Sequence, residues 1–126
     1  MKRSPFLRDL SRDHHAALSL ANRIAKADGE CALADLVRGV PEEFRRAIEP
    51  HFRQEEEGLL VELEQVGEAL LVARTLAEHR HLRDLASRMA DGDPSVLRAF
   101  GTALRDHVRF EERELFAAAE LRFGCI

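Results

Sequence analysis

Two stretches of this chain are near-copies of one another: Pro50-His51-Phe52-Arg53-Gln54-Glu55-Glu56 and Asp106-His107-Val108-Arg109-Phe110-Glu111-Glu112. Each carries a histidine with a glutamate four residues later. On an α-helix, four steps of about 100° return a side chain to nearly the same face, one turn along. Each copy therefore aims an imidazole and a carboxylate at one place. Borderline ions such as iron, manganese and zinc accept that combination of ligands. One copy would carry little weight; two copies within 126 residues constrain fold and chemistry together.

The rest of the chain reads as helices around these copies. Ser4-Pro5 has the form of an N-cap followed by proline in the first turn. Leu7, Leu10, His14, Ala17, Ala21 and Ile24 then recur at spacings of three and four, and Gly29 stops the pattern, which predicts a first helix over about residues 5–28. Residues 30–40 are ambiguous: Leu33, Leu36 and Val37 suggest a helical turn or two, and Gly39-Val40-Pro41 either breaks or bends it. From Pro41, the series Phe44, Ala47, Ile48, His51, Phe52, Glu55, Leu59 predicts a second helix to about residue 65, kinked at Pro50. Leu71, Leu76, His79, Leu82, Leu85, Ala86 and Met89 mark a third helix, closed by Asp91-Gly92. Asp93-Pro94 opens a fourth, with Leu97, Phe100, Leu104, His107, Val108, Glu111, Leu115 and Phe116 on one face to about residue 122. No strand pattern appears. Long helices with short connections predict an all-α, antiparallel up-down-up-down four-helix bundle, a single domain spanning residues 1–126.

A wider internal repeat selects the remaining donors. The segment from Arg12 to Ile24 aligns with the segment from Ala77 to Met89: an acid-histidine pair, a leucine six residues on, then Ala, a polar residue, Arg and an apolar residue. His14 thus corresponds to His79, and both lie on apolar faces. His15 falls about 100° round the helix and reads as surface or outlying, and His81 points some 200° away from His79. Each half supplies two histidines and one glutamate, so His14, His51, Glu55, His79, His107 and Glu111 are the candidate metal ligands. Bundle cores are where such side chains converge on dinuclear centres, and two carboxylates suffice to bridge two cations. Buried without metal, each glutamate would cost several kcal/mol or take up a proton. Glu56, Glu57 and Glu112, beside the ligand face, are read as solvated charges.

Composition narrows the alternatives. The net charge is -4 and the basic residues are scattered, which gives no electrostatic case for nucleic acid. No run approaches the ~18 apolar residues of a membrane-spanning helix, and no secretory apolar run follows the first basic residues. Cys31 and Cys125 match no zinc or redox spacing and read as free thiols of a reducing cytoplasm. Tyr and Trp are absent, so no phenolate ligand or tyrosyl radical is available.

At Asp13-His14, His51-Phe52-x-x-Glu55-Glu56, Glu78-His79 and His107-x-x-x-Glu111-Glu112 with Leu115-Phe116, the chain resembles the hemerythrin-like family, the HHE cation-binding domains. The resemblance spans essentially the whole chain. It implies two iron ions, oxo- or hydroxo-bridged, with Glu55 and Glu111 as bridging carboxylates and His14, His51, His79 and His107 as terminal ligands; nitrogen and oxygen donors also admit manganese or zinc. Oxygen-carrying members have a further histidine where this chain has Arg83, and place an aspartate five residues after the last histidine, where Glu112 stands here. The symmetric His/Glu set looks more like the family's iron- and oxygen-sensing variants. Guanidinium does not coordinate iron. Arg83 either faces the site, bonding Glu55, Glu111 or an anionic ligand, or runs out to solvent.

Three functions fit this reading. One is a non-haem di-iron protein that binds or senses O2, NO or iron, its partner a small diatomic or peroxide ligand. Another is a di-iron enzyme of catalase-like or oxidase-like type acting on peroxide or O2. The third is an interaction module that metal stabilises, its output carried by a protein partner. No substrate pocket, nucleophile or separate acid-base group is evident in the sequence, which favours the first.

Overall fold

The computed structural model describes residues 5–124; the Ser4 cap and Cys125 lie outside the described residues. Among these there is no strand, and four helices carry nearly all of the chain. Helix α1 is Pro5–Lys26. Helix α2 covers residues 30–65 without interruption. Helix α3 is Ala69–Ala90. Helix α4 covers residues 94–123, opening with the 3-10 turn Pro94–Val96, where the Asp93 side chain accepts from the Ser95 amide at 2.9 Å.

The ambiguous segment 30–40 belongs to α2, and Gly39-Val40-Pro41 neither breaks nor ends it. Pro50 is accommodated differently from a simple kink. The preceding residues Phe44–Ile48 form a π turn, with the Glu49 amide bonded to the Phe44 carbonyl, and Pro50 follows in the first turn of the next α segment, Glu49–Gln54. There a missing N–H costs least.

Two more π turns start on the repeated glutamates, at Glu55–Leu59 and Glu111–Leu115. A π turn contains one extra residue, so the inward face beyond it is delayed by one position. Leu63 and Ala119 are consequently buried, whereas Glu62 is exposed and Ala118 only half-buried. The glutamate and the apolar residues on both sides of it can then all point inward.

Two apolar clusters bracket the middle of the bundle. One gathers Leu7 and Leu10 of α1, Leu59, Leu60 and Leu63 of α2, Val72 of α3, and Phe110, Leu115, Phe116 and Ala119 of α4. The other gathers Ala17 to Ile24, Val40 to Phe52, Leu82 to Met89, and Val96 to Val108. The start of α1 thus meets the end of α2, the start of α3 and the end of α4, as alternating chain directions would require. Phe52, Phe100 and Phe116 are fully buried, each stabilising the fold by roughly 1.5–3 kcal/mol. In α3 the inward face includes Val72 and Thr75, in phase with His79, while Leu71 and Leu76 are only half-buried.

Helix ends are closed by specific contacts. At the end of α2, the Glu68 amide reaches back to the Leu63 carbonyl at 2.9 Å, with Gly67 between them at φ 96°. Only glycine takes that conformation without penalty. Arg98 donates to the Ile24 and Ala27 carbonyls at 2.7 and 2.8 Å, covering acceptors that the end of α1 leaves open. No helix among the described residues is long and apolar enough to cross a membrane.

Candidate metal centre

Between the two apolar clusters, the structure brings together all six side chains singled out in the sequence. His14, His51, Glu55, His79, His107 and Glu111 are buried. They form two groups, His14-His51-Glu55-Glu111 and Glu55-His79-His107-Glu111, each with donor atoms within 4.8 Å of one another. The glutamates are common to both groups. Glu111 turns Oε1 toward His14 Nε2 (2.7 Å) and His51 Nε2 (3.7 Å), and Oε2 toward His107 Nε2 (3.0 Å) and His79 Nε2 (3.6 Å). Glu55 does the same, with Oε2 at 3.3 Å from His51 Nε2 and Oε1 at 3.1 Å from His79 Nε2. The rings of each histidine pair meet edge to face, 5.0 Å apart for His14 and His51 and 4.9 Å for His79 and His107. The sequence repeat has become a repeat in space.

These donors converge without satisfying one another. His14 Nε2 bonds Glu111, but Nε2 of His51, His79 and His107, both oxygens of Glu55, and Oε2 of Glu111 are buried with no hydrogen-bond partner. Several lie close enough for attraction, yet lack the alignment of a hydrogen bond. Buried polar groups left in that state cost about 1–3 kcal/mol each, so a cluster of them pointing at common centres fits a cation that accepts them all. The donor set of imidazole nitrogen and carboxylate oxygen suits iron, manganese or zinc.

The electrostatics agree. Burial pushes the imidazoles of His51 and His107 down, but the Glu111 and Glu55 carboxylates outweigh it and raise them to about 11 and about 10. His14 and His79 move up for the same reason. Glu111, although buried, is held well below the usual carboxylate range by His107, His14 and His51. Burial and the charge on Glu111 push Glu55 up. Without cations, protons on the imidazoles balance the carboxylates; cations would displace those protons.

Behind the six donors lies a second set of four acids, two of which sequence reasoning misassigned. Glu56 and Glu112, expected to be solvated charges, are half-buried, and each accepts a hydrogen bond from a histidine. An ionised carboxylate can only accept, so each imidazole donates from Nδ1 and directs Nε2 inward. The pattern runs round the bundle. Asp13 of α1 accepts from His51 of α2 (3.1 Å) and Glu56 of α2 from His79 of α3 (2.7 Å). Glu78 of α3 accepts from His107 of α4 (2.7 Å), and Glu112 of α4 from His14 of α1 (2.7 Å). Four acids that stand beside a donor in sequence, Asp13, Glu56, Glu78 and Glu112, thus each serve a histidine on the next helix, while Asp106, beside His107, is exposed. The signal was present as an acid adjacent to five of the six donors, His51 excepted, but sequence alone gave it no partner.

Glu57, His15 and His81 are exposed, as expected. Arg83 follows neither expected course. Its guanidinium bonds Glu49 and Glu56, one layer outside the donors. Cys31 is exposed and unpaired.

Four helices around a buried His/Glu cation site define a class of helical metal-binding domain. The chain belongs to the hemerythrin family: the family model of the hemerythrin HHE cation binding domain matches residues 6–119. No curated protein and no solved structure gives a match.

Proposed function

We propose that this chain is a non-haem di-iron protein that binds or senses a small diatomic ligand, O2 or NO, at a carboxylate-bridged centre. The observation that carries this reading is the division of Glu55 and Glu111, each of which gives one oxygen to each histidine pair. That division serves two ions better than one. His14 and His51 would hold the first and His79 and His107 the second. Two iron ions would supply open coordination positions and reversible one-electron chemistry.

The surroundings favour a small, weakly polar ligand. A cavity of about 10 Å³ adjoins His14, His51 and His107 and is otherwise lined by Asp13 and by the apolar side chains of Ala17, Ala47, Ile48, Phe52, Leu104 and Val108. Such a volume admits about one water-sized molecule, and the apolar lining costs a diatomic gas no hydrogen bonds. The outer carboxylates keep each imidazole in the Nδ1–H form, so that Nε2 is the free donor.

The test is iron loading under nitrogen, elemental analysis, then optical spectra through cycles of air and reductant. Two iron ions per chain and a charge-transfer band that appears and disappears with O2 are expected. One ion per chain, or none, would overturn the dinuclear reading. Catalytic loss of added peroxide, abolished in His79→Ala, would replace binding by the enzyme reading.

A further inference from the structure

Basic residues that look scattered along the chain are gathered by the fold on one side of the bundle. Ser11 of α1 bonds Glu112 of α4 at 2.8 Å, and Arg98 of α4 reaches the Ile24 carbonyl of α1 at 2.7 Å, so these two helices lie side by side along a seam. On α1, Arg8 stands about one turn before Ser11 and His15 one turn after it, on the line that meets α4. Both are exposed. On α4, Arg105, Arg109 and Arg113 recur every four residues on the side away from the core, the first half-buried and the others exposed. At 1.5 Å per residue they form a ridge about 12 Å long.

Acids are kept off this ridge. Asp106 and Glu114 follow the line of Phe110, which faces α3: Arg74 of α3 sits 3.9 Å over that ring and bonds Glu114 at 3.3 Å. Asp9 is paired with Arg12 at 3.3 Å, and Glu112 lies in the seam, bonded to Ser11 and His14. Among the described residues, Arg8, Arg105, Arg109 and Arg113 make no hydrogen bond or ion pair, and Arg105 Nε is buried without an acceptor. The arginines of α2 and α3 differ: Arg46 and Arg80 apart, each meets a carboxylate. The negative net charge comes from α2, where residues 30–65 hold ten acids against four arginines.

Four guanidinium groups without counter-charges, on one face of an otherwise acidic chain, attract negative potential. We infer that the α1/α4 seam is a docking surface for the acidic face of a partner protein. Planar guanidinium forks match carboxylates in bidentate pairs, and arginine is enriched where proteins meet. A carboxylate that drew Arg105 outward would also satisfy its buried Nε. A nucleic acid fits less well, because phosphate affinity grows with the number of cations in contact and this ridge is short. Nor does any aromatic side chain among the described residues stand exposed along the ridge for a base to stack on. Charge steers such a contact, and its small size makes it a transient one. The docked partner stands over Glu112, one hydrogen bond away from His14.

The probe is a fluorescent helical peptide with glutamate at every fourth position, titrated with the full metal-loaded chain. Binding is expected at low salt and should weaken roughly tenfold between about 50 and about 300 mM salt. Arg109→Gln combined with Arg113→Gln should weaken it about tenfold, at an unchanged melting temperature. Arg46→Gln combined with Arg80→Gln removes as much unpaired charge from α2 and α3 and should leave it nearly unchanged. In a nuclear magnetic resonance titration, shifted amides should gather on α1 around Ser11 and on α4 around Arg109. Equal weakening in the two double variants, equal binding of a glutamine version of the peptide, absence of binding, or shifts spread over α2 and α3 would overturn the inference. So would tighter binding of single-stranded DNA or phosphatidylserine vesicles through the same arginines, or self-association of the chain that Arg109→Gln with Arg113→Gln abolishes. The result is independent of how many ions the centre holds, so it stands or falls apart from the two-ion reading.

Discussion

Glu112 and His14 are 98 residues apart in the chain and 2.7 Å apart in the fold, with the carboxylate accepting from Nδ1 while Nε2 of the same ring reaches Glu111. Ser11 adds its hydroxyl to the same Glu112 oxygen at 2.8 Å. His14 is therefore fixed from outside as well as inside. Glu112→Ala is expected to weaken metal binding roughly 10–100-fold, the usual cost of losing an outer partner. Competition with a chelator measures this, and Glu57→Ala, at an exposed neighbour of the other motif, is the variant that should show no effect.

Glu111 contributes an oxygen to each histidine pair, so its loss should be felt at both positions. Glu111→Gln keeps the size of the side chain but removes the shared charge. Metal content should fall from two ions per chain to one or fewer, counted by elemental analysis. His107→Ala should lower occupancy mainly at one position. Equal stoichiometry in Glu111→Gln and the unaltered protein would show that the carboxylate does not bridge.

The metal-free protein should lose stability as the pH rises. His51 and His107 are raised from 6.5 to about 11 and about 10 by Glu111 and Glu55, acting against burial. A raised value in the fold means that the stabilisation is fully present below the unfolded value of 6.5 and is lost as the pH climbs through 10–11. Thermal melts between pH 7 and 11 should show a falling midpoint without metal and a flatter profile with it, because bound cations hold the imidazoles deprotonated. Loading at pH 7 should release protons, detectable in weakly buffered solution.

Gly101 of α4 meets Ile24 of α1 so closely that an added Cβ would lie 2.8 Å from Ile24 Cγ2. That methyl is attached to a β-branched carbon and has little freedom to move. Gly101→Val should cost about 1–3 kcal/mol or more through overpacking, visible as a lower midpoint in urea. Combined with Ile24→Ala, it should cost less than the two single changes added together.

Much of the centre was legible in one dimension. A glutamate four residues after a histidine fixes a shared helical face whatever the rest of the chain does, because that relation depends only on the pitch of the helix. The internal repeat then chose His14 over His15 and His79 over His81, and the structure buries the first of each pair and exposes the second. What periodicity could not supply was partnership between helices. Glu56 and Glu112 sit one step off the inward face, where sequence favours solvent. Only the packing of α2 against α3 and of α4 against α1 turns them into acceptors for His79 and His14. Arg83 was undecided for the same reason, since its course depends on Glu49 and Glu56 from another helix. The π turns that begin on Glu55 and Glu111 were also invisible, because an extra residue per turn is favoured only when a buried glutamate and the apolar residues beyond it must face one core. The chain alone determined that the six donors point inward; tertiary structure decided which of them meet and which acids back them, because distances between helices are set by packing and not by pitch.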